Sequence, residues 1–470
     1  MHNVTASNLA APTSRGGHHP RTPPSGRDTV IDAARVVAVL TVAIGHALVA
    51  AVEWRNGGFE AEHVLGATPW TQWLTYGFQV MPIVFFCGGV ANAASLARAE
   101  RFGPWLGSRI ERLAGPTFTY AALAAAALAV GAGLGLSPAT VVVAGHALTM
   151  HLWFLAAYAV VLTATPLAAA AQHRWGLRAA FALFACAAAV DAVARLTGEP
   201  SLAWCNLVFV WGGAHQLGVA WQAGALRLPA RFGLAIAAAG AGLIAVLIGA
   251  LGYPLSMVSV PGMGVTNAGP PSLAMVGLAT VQVGMLIAGR RRLAARTTRP
   301  ATAARVASLN AAAMGIYLWH FAAMTIAAVL LLPAGIVPDH QTGSAAWWLA
   351  RPLWIGGCAL VLVVLLPLAR RLGRRRTIAA DVSGARAVVA AVLAAAGFLV
   401  LTLGGVAPTS MPLSLPLPAL ALLAAALVVL GAGGSRRPRA SEAQPASAAP
   451  GPPAQPPGCR SPRSWNGRRR

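Results

Sequence analysis

The chain returns repeatedly to runs of about twenty apolar residues, the length an α-helix needs to cross about 30 Å of hydrocarbon. Such runs fall at roughly 30–52, 75–95, 113–134, 152–171, 178–195, 203–223, 232–252, 272–289, 305–332, 347–369, 386–407 and 414–433. A soluble domain could not cover so much apolar surface, because only 10% of the 470 residues are charged while 57% are hydrophobic. The expected fold is all-α, a multi-pass transmembrane helical bundle of about twelve spans.

The net charge of +23 comes from arginines in short clusters between apolar runs, with no basic face carrying interleaved aromatics. That pattern argues against nucleic acid as a partner and for topology signals in a lipid bilayer. If the chain starts inside, the odd crossings leave outer loops near 53–74, 135–151, 196–202, 253–271, 333–346 and 408–413. These loops with their flanks hold Arg55, Arg195 and Arg351, whereas the runs RRRLAARTTR (290–299) and ARRLGRRR (369–376) lie on the other side. The imbalance predicts a cell-membrane protein with both termini cytoplasmic.

The ends read differently. Residues 1–26 are rich in Pro, Gly, Ser and His, and the segment 434–470 in Pro, Ala, Ser and Arg, so disordered cytoplasmic tails are expected there. Between them the expected division is a transmembrane domain over 27–376 and additional helices over 386–433. The first run has no cleavage site after a short apolar core and reads as a retained anchor rather than a signal peptide. Cys87, Cys186, Cys205 and Cys358 sit in spans and Cys459 in the tail, a scatter that fits neither a disulfide framework nor a clustered metal site.

Polar residues inside the spans carry the functional information, since ionisable groups at such depth are costly unless they face a cavity. Arg35 and His46 are eleven residues apart, which places them on one helix face about 16 Å apart along the axis. Asp32, one turn before Arg35, can pair with it. A lone histidine is more often an inter-helix hydrogen-bonding group than a catalyst. His151 (in MHLWFLAAY) and His320 (in MGIYLWHF), however, fall in the same outer half as His46. His215 reads as packing or cavity lining, and His63 and His146 as loop residues.

On the other side, RFGPWLGSRIERLAGPTFTY (101–120) carries Arg109 and Arg112 three apart, on one helical face. Paired guanidiniums form forks suited to phosphate oxygens. Plain anchoring by positive charge is the competing reading, and it suffices for Arg98 and Arg101. Glu111 and the Gly115-Pro116 step suggest a shaped entry with a helix break at that point.

Together these blocks resemble the acyltransferase-3 family of integral membrane acyltransferases. RDTVIDAARVVAVLTVAIGH is similar to its first-helix motif, an arginine, ten residues and a histidine, here Arg35 and His46, with Asp32 where the family has an aspartate. SRIERLAGP resembles its paired arginines, mapping them onto Arg109 and Arg112, and HLWFL (151–155) and IYLWHF (316–321) look like two further family blocks. The resemblance covers roughly 27–370, about ten spans, and leaves two extra spans without an assigned role.

What the resemblance implies is transfer of an acyl group, acetyl or another short one, from cytoplasmic acyl-CoA to a hydroxyl of an extracytoplasmic acceptor such as a sugar or glycan. It implies catalysis by His46 and donor phosphates held by Arg109 and Arg112, with Arg35 supporting the donor or the cavity. Acyl-CoA would be a substrate, and neither a resident cofactor nor a metal is expected. His151, Trp153, Tyr317 and His320 are candidate acceptor-side groups. The sequence departs from the family at Cys87-Gly88, where a more polar turn is expected, and in lacking a G-x-S-x-G hydrolase motif. The alternative class is a proton-coupled transporter, which twelve spans and embedded Arg and His also fit, although the two halves show no internal repeat.

Overall fold

The structure is a computed structural model, and it describes residues 28–431 apart from 56–57, 261, 374–375 and 408–415. The tails expected over 1–26 and 434–470, and Cys459 with them, lie outside the described residues.

Fourteen helices of at least ten residues make up the described fold. They are α1 (Thr29–Val49), α2 (Met81–Leu96), α3 (Phe102–Gly133), α4 (Pro138–Ala147), α5 (Trp153–Thr163), α6 (Thr165–Trp175) and α7 (Arg178–Thr197) in the first half. The second half holds α8 (Asn206–Gln222), α9 (Ala230–Gly249), α10 (Leu273–Thr297), α11 (Pro300–Leu331), α12 (Ala345–Leu372), α13 (Gly384–Gly404) and α14 (Leu417–Val429). Among the described residues ten helical stretches are long and apolar enough to cross a membrane, as a multi-pass bundle requires. The remaining two expected spans appear as the shorter helices α8 and α14.

Three local expectations are corrected. The outer loop expected over 135–151 contains α4, started by Pro138 and capped by Ser137, whose hydroxyl accepts from the Thr140 N–H. The fourth span is not one smooth helix: it passes from α5 to α6 at Ala164, just before Pro166 withdraws a backbone donor. The break expected at Gly115-Pro116 does not occur, and α3 runs through Pro116 from Phe102. Arg109 and Arg112 therefore lie in the first turns of a long helix rather than ahead of it.

Helices in lipid gain little from apolar contact alone and depend on small residues that let backbones approach. α2 and α8 show this directly: a Cβ at Gly89 would overlap the His215 carbonyl, and one at Gly218 the Phe86 carbonyl. That close crossing brings Asn92 of α2 against His215 of α8, 3.3 Å from its Nε2. α13 and α14 share one buried core with α3 and α5, through Ala390, Ala394, Phe398 and Leu423.

α1 begins at an Asp28 cap, which accepts from the Val30 and Ile31 N–H groups and from the Trp221 indole. At its other end the chain turns into an antiparallel hairpin, β1 (Ala50–Arg55) and β2 (Gly58–His63). Arg351 of α12 holds this hairpin by donating to the Ala50 carbonyl at 2.9 Å, with its guanidinium 3.8 Å from the Trp347 ring centre. Buried Glu53 accepts from the Thr342 hydroxyl at 2.8 Å and pairs with Arg55.

Candidate active site

His46 sits three residues from the end of α1, His151 in the single turn before α5, and His320 in the middle of α11. The fold brings all three together. His46 Nδ1 lies 2.9 Å from His320 Nε2, and the His151 and His320 ring centres are 5.1 Å apart. Phe321 closes the cluster, 4.8 Å from His46 and 5.0 Å from His151 between ring centres.

Hydrogen-bond accounting fixes which nitrogen can act. His320 Nδ1 is 2.6 Å from the Tyr317 carbonyl, which can only accept, so that nitrogen carries the proton. Neutral His320 then has a lone pair at Nε2 and accepts from His46 Nδ1–H. The remaining nitrogen of His46, Nε2, is left unprotonated. His46 is half-buried despite its depth because it lines a chamber of about 970 Å³. A neutral imidazole with a fixed tautomer and an open lone pair is what a general base requires.

The histidine chamber also takes in His63, Gln79, His151, Trp153 and Tyr317. Tyr317 donates its hydroxyl to the His151 carbonyl at 2.7 Å, which ties α11 to the turn before α5. Trp153 lies on the chamber wall packed against Trp211, 5.8 Å between ring centres. Both ring nitrogens of His151 are buried.

A second chamber of about 350 Å³ lies along the same helices toward the start of α1 and is lined by Arg35, Arg109 and Arg112. Arg35 has Asp32 at 4.0 Å, the pairing expected from their spacing. Arg109 donates to the Trp105 carbonyl at 3.2 Å with its guanidinium 4.5 Å from the Trp105 ring centre, and Arg112 donates through Nε to the Ser108 carbonyl at 3.0 Å. Glu111 points elsewhere, accepting from the Arg376 backbone N–H at 2.8 Å. Arg109 and Arg112 are thus each braced by a backbone carbonyl of their own helix, and Arg35 donates to the Cys87 carbonyl of α2 at 3.4 Å.

The two chambers are neighbours. Val42, Met81, Phe154 and Tyr317 line both, so one thin wall separates the arginine side from the histidine side. Val42 precedes His46, and Tyr317 precedes His320, by about one helical turn.

Four further polar residues belong to these chambers and were not picked out from sequence. His63 at the end of β2 lines the histidine chamber with a buried, unpaired Nδ1, and burial holds its pKa below the ordinary histidine value. Gln79 sits there too, donating to the Met257 carbonyl. In the arginine chamber Asn92 donates to the Tyr158 hydroxyl at 3.2 Å, and Asn310 donates to the Asp32 carbonyl while its Oδ1 is buried without a partner. His215 is buried behind Asn92, its Nε2 3.3 Å from the Asn92 amide nitrogen. Gly88 is small for a reason: a Cβ there would collide with the Tyr158 ring. Among the described residues no group of three or more His, Cys, Asp or Glu is placed to hold a metal ion.

Comparison with curated proteins returns no match, and comparison with solved structures returns none either. Comparison with protein families does: the acyltransferase-3 family, described as an acyltransferase domain, matches residues 28–370. That range runs from the cap of α1 nearly to the end of α12 and contains every arginine and histidine of the two chambers. With most of its length matched and its apolar helices in place, the chain belongs to the acyltransferase-3 family and is a membrane acyltransferase.

Proposed function

We propose that this membrane acyltransferase takes a short acyl group, such as acetyl, from cytoplasmic acyl-CoA and places it on a hydroxyl of an extracytoplasmic acceptor, a sugar or glycan. The observation that carries the reading is the shared wall of Val42, Met81, Phe154 and Tyr317 between an arginine chamber and a histidine chamber. Polyanionic CoA suits the first, and the thioester end needs to cross only that wall to meet His46. Acyl-CoA is a substrate in this reading, and no resident cofactor or metal takes part.

His46 Nε2 takes the proton as the acceptor oxygen attacks the thioester carbonyl. The C–S bond then breaks, and the CoA thiolate leaves with that proton returned from the imidazolium. His320 remains an acceptor for His46 Nδ1–H throughout, so it holds the ring and supports its positive charge. Arg109 and Arg112 hold the donor phosphates, and Arg35, with Asp32 beside it, supports the chamber between them and α1. His151, Trp153 and Tyr317 face the acceptor. The narrow, largely apolar surroundings limit hydrolysis of the thioester.

The arginine end is the cytoplasmic one in this reading, in the cell membrane, with both termini inside. What supports it is a concentration of positive charge at that end: Arg290 lies 3.8 Å from Asp28 at the start of α1, and Arg376 is tied to α3 through Glu111.

The test is acyl-CoA binding and CoA release by the purified protein in nanodiscs, comparing wild type, His46→Gln and the Arg109→Ala/Arg112→Ala double variant. Binding lost in the arginine variant and turnover lost in His46→Gln are expected. Wild-type protein that binds no acyl-CoA would end the reading.

A further inference from the structure

The histidine chamber is not closed. Beyond the histidines the same cavity continues as a groove floored by Val160 and Thr163 of α5. Trp204 and Val208, before and within α8, form one side; Val392, Leu399 and Leu403 of α13 form the other. Val160, Val208, Val392, Leu399 and Leu403 are at the same time exposed on the outer surface of the bundle, Val392 at 62% and Leu403 at 70%. α13 and the stretch that contains α5 are long and apolar enough to cross a membrane, so an opening between them would face lipid rather than water.

From this continuity we infer that the acceptor is lipid-linked: its apolar chain lies in the α5–α8–α13 groove while the hydroxyl-bearing head reaches His46. The inference rests on the proposed acyl transfer and narrows its acceptor.

Polarity divides the cavity in two. His46, His63, Gln79 and His151 gather at one end, whereas the groove offers little besides Thr163 and Thr402. Both of those hydroxyls already donate within their helices, to the Ala159 and Phe398 carbonyls at 2.8 Å. A free glycan laid along this groove would strand its hydroxyls against apolar side chains. An alkyl or isoprenoid chain would not.

Length agrees. α5 has eleven residues, about 15 Å of helix, which is about half the hydrocarbon thickness. It begins beside the histidines, so a chain that hangs from a head group at His46 and lies along it has about the length of one leaflet. The donor's acyl chain would have to enter from the arginine chamber and turn back on itself to lie there.

One wall of the groove is α13, which lies beyond the residues matched by the family. This gives the added helix a task. It packs on α3 and α5 through Ala390, Ala394 and Phe398 and presents Val392 and Leu399 on its free side.

The test uses the full chain in phosphatidylcholine nanodiscs with a dodecyl maltoside carrying a diazirine in its alkyl chain, beside a diazirine-bearing phosphatidylcholine at equal loading. Adducts are mapped by mass spectrometry in wild type, in Ala396→Trp, which fills the groove, and in Val364→Trp on the lipid-facing side of α12. The glycolipid probe is expected to concentrate on α5 and α13. That labelling should fall on the order of tenfold in Ala396→Trp and stay unchanged in Val364→Trp, while acyl-CoA affinity is the same in all three. Even labelling of all lipid-facing helices by both probes would reduce the groove to ordinary lipid contact and overturn the inference. So would undiminished labelling in Ala396→Trp. Loss of acyl-CoA binding in wild type would instead strike the proposed transfer itself, which separates the two failures.

Discussion

His46 and His320 meet across α1 and α11 with 2.9 Å between Nδ1 and Nε2, and His320 is itself anchored to the Tyr317 carbonyl at 2.6 Å. In the proposed transfer the general base would therefore be oriented by a neutral imidazole instead of a carboxylate. In a region poor in water this avoids burying a second charge, at the cost of weaker support for the imidazolium.

Removing the base and removing its orienter should have different sizes. His46→Gln is expected to slow transfer by on the order of 10²–10⁴ while acyl-CoA still binds. His320→Ala leaves His46 Nδ1–H without an acceptor, a penalty of about 1–3 kcal/mol, or roughly five- to hundredfold in rate. His320→Gln, which keeps an acceptor oxygen, should recover part of that loss. Single-turnover transfer with saturating donor measures all three, and equal losses for His46→Gln and His320→Gln would contradict the division of roles.

The arginine pair makes a prediction about binding. Arg109→Ala and Arg112→Ala should each weaken acyl-CoA affinity by about 1.5–3 kcal/mol, the worth of a charge-assisted hydrogen bond, leaving the rate at saturating donor little changed. Lysine at either position should restore charge but not the fork, and so only part of the affinity. Titration of the donor in nanodiscs at two salt concentrations reads this, with the wild-type dependence on salt expected to be steeper than that of the alanine variants.

The helical periodicity that links Arg35 to His46, and Arg109 to Arg112, acts within single helices, and these pairs were accordingly legible in the sequence. The meeting of His46, His151 and His320 was legible only as a shared depth; that they touch depends on how α1, α5 and α11 cross. His63 was passed over because a lone histidine in a loop between spans gives no sign that a hairpin will fold it back over the chamber. Asn92 and Asn310 were hidden by apolar neighbours, since one amide in a span has no period. Gly115-Pro116 read as a break because proline removes a donor, yet α3 carries it in its interior, as helices packed among neighbours in a membrane can.

The crossing of α2 and α8 should be intolerant of a single methyl group. A Cβ at Gly89 or Gly218 falls on an opposing backbone carbonyl, which cannot rotate away as a side chain can. Gly89→Ala and Gly218→Ala are each expected to cost about 1–3 kcal/mol, read as a lowered thermal midpoint in detergent. Gly242→Ala, which meets nothing within 4 Å, is the control and should leave the midpoint where it is.

The hairpin carries a pH dependence whose direction follows from His63. Burial holds its pKa below the ordinary 6.5, so the folded hairpin keeps it neutral where the opened hairpin would take a proton. Between 6.5 and the lower folded value the opened state binds more protons, so the hairpin's stability falls as pH falls through that window. Its other supports are Arg351 on the Ala50 carbonyl and Thr342 on Glu53, neither of which involves His63. Hydrogen exchange of residues 50–63, corrected for the intrinsic pH effect, should show protection lost between pH 7.5 and pH 5.5 in wild type. His63→Gln cannot titrate and should keep its protection constant across the same interval, while His46, facing the same chamber, is present in both proteins. Protection that falls equally in the two would assign the effect to His46 or to the hairpin's acids and remove it from His63.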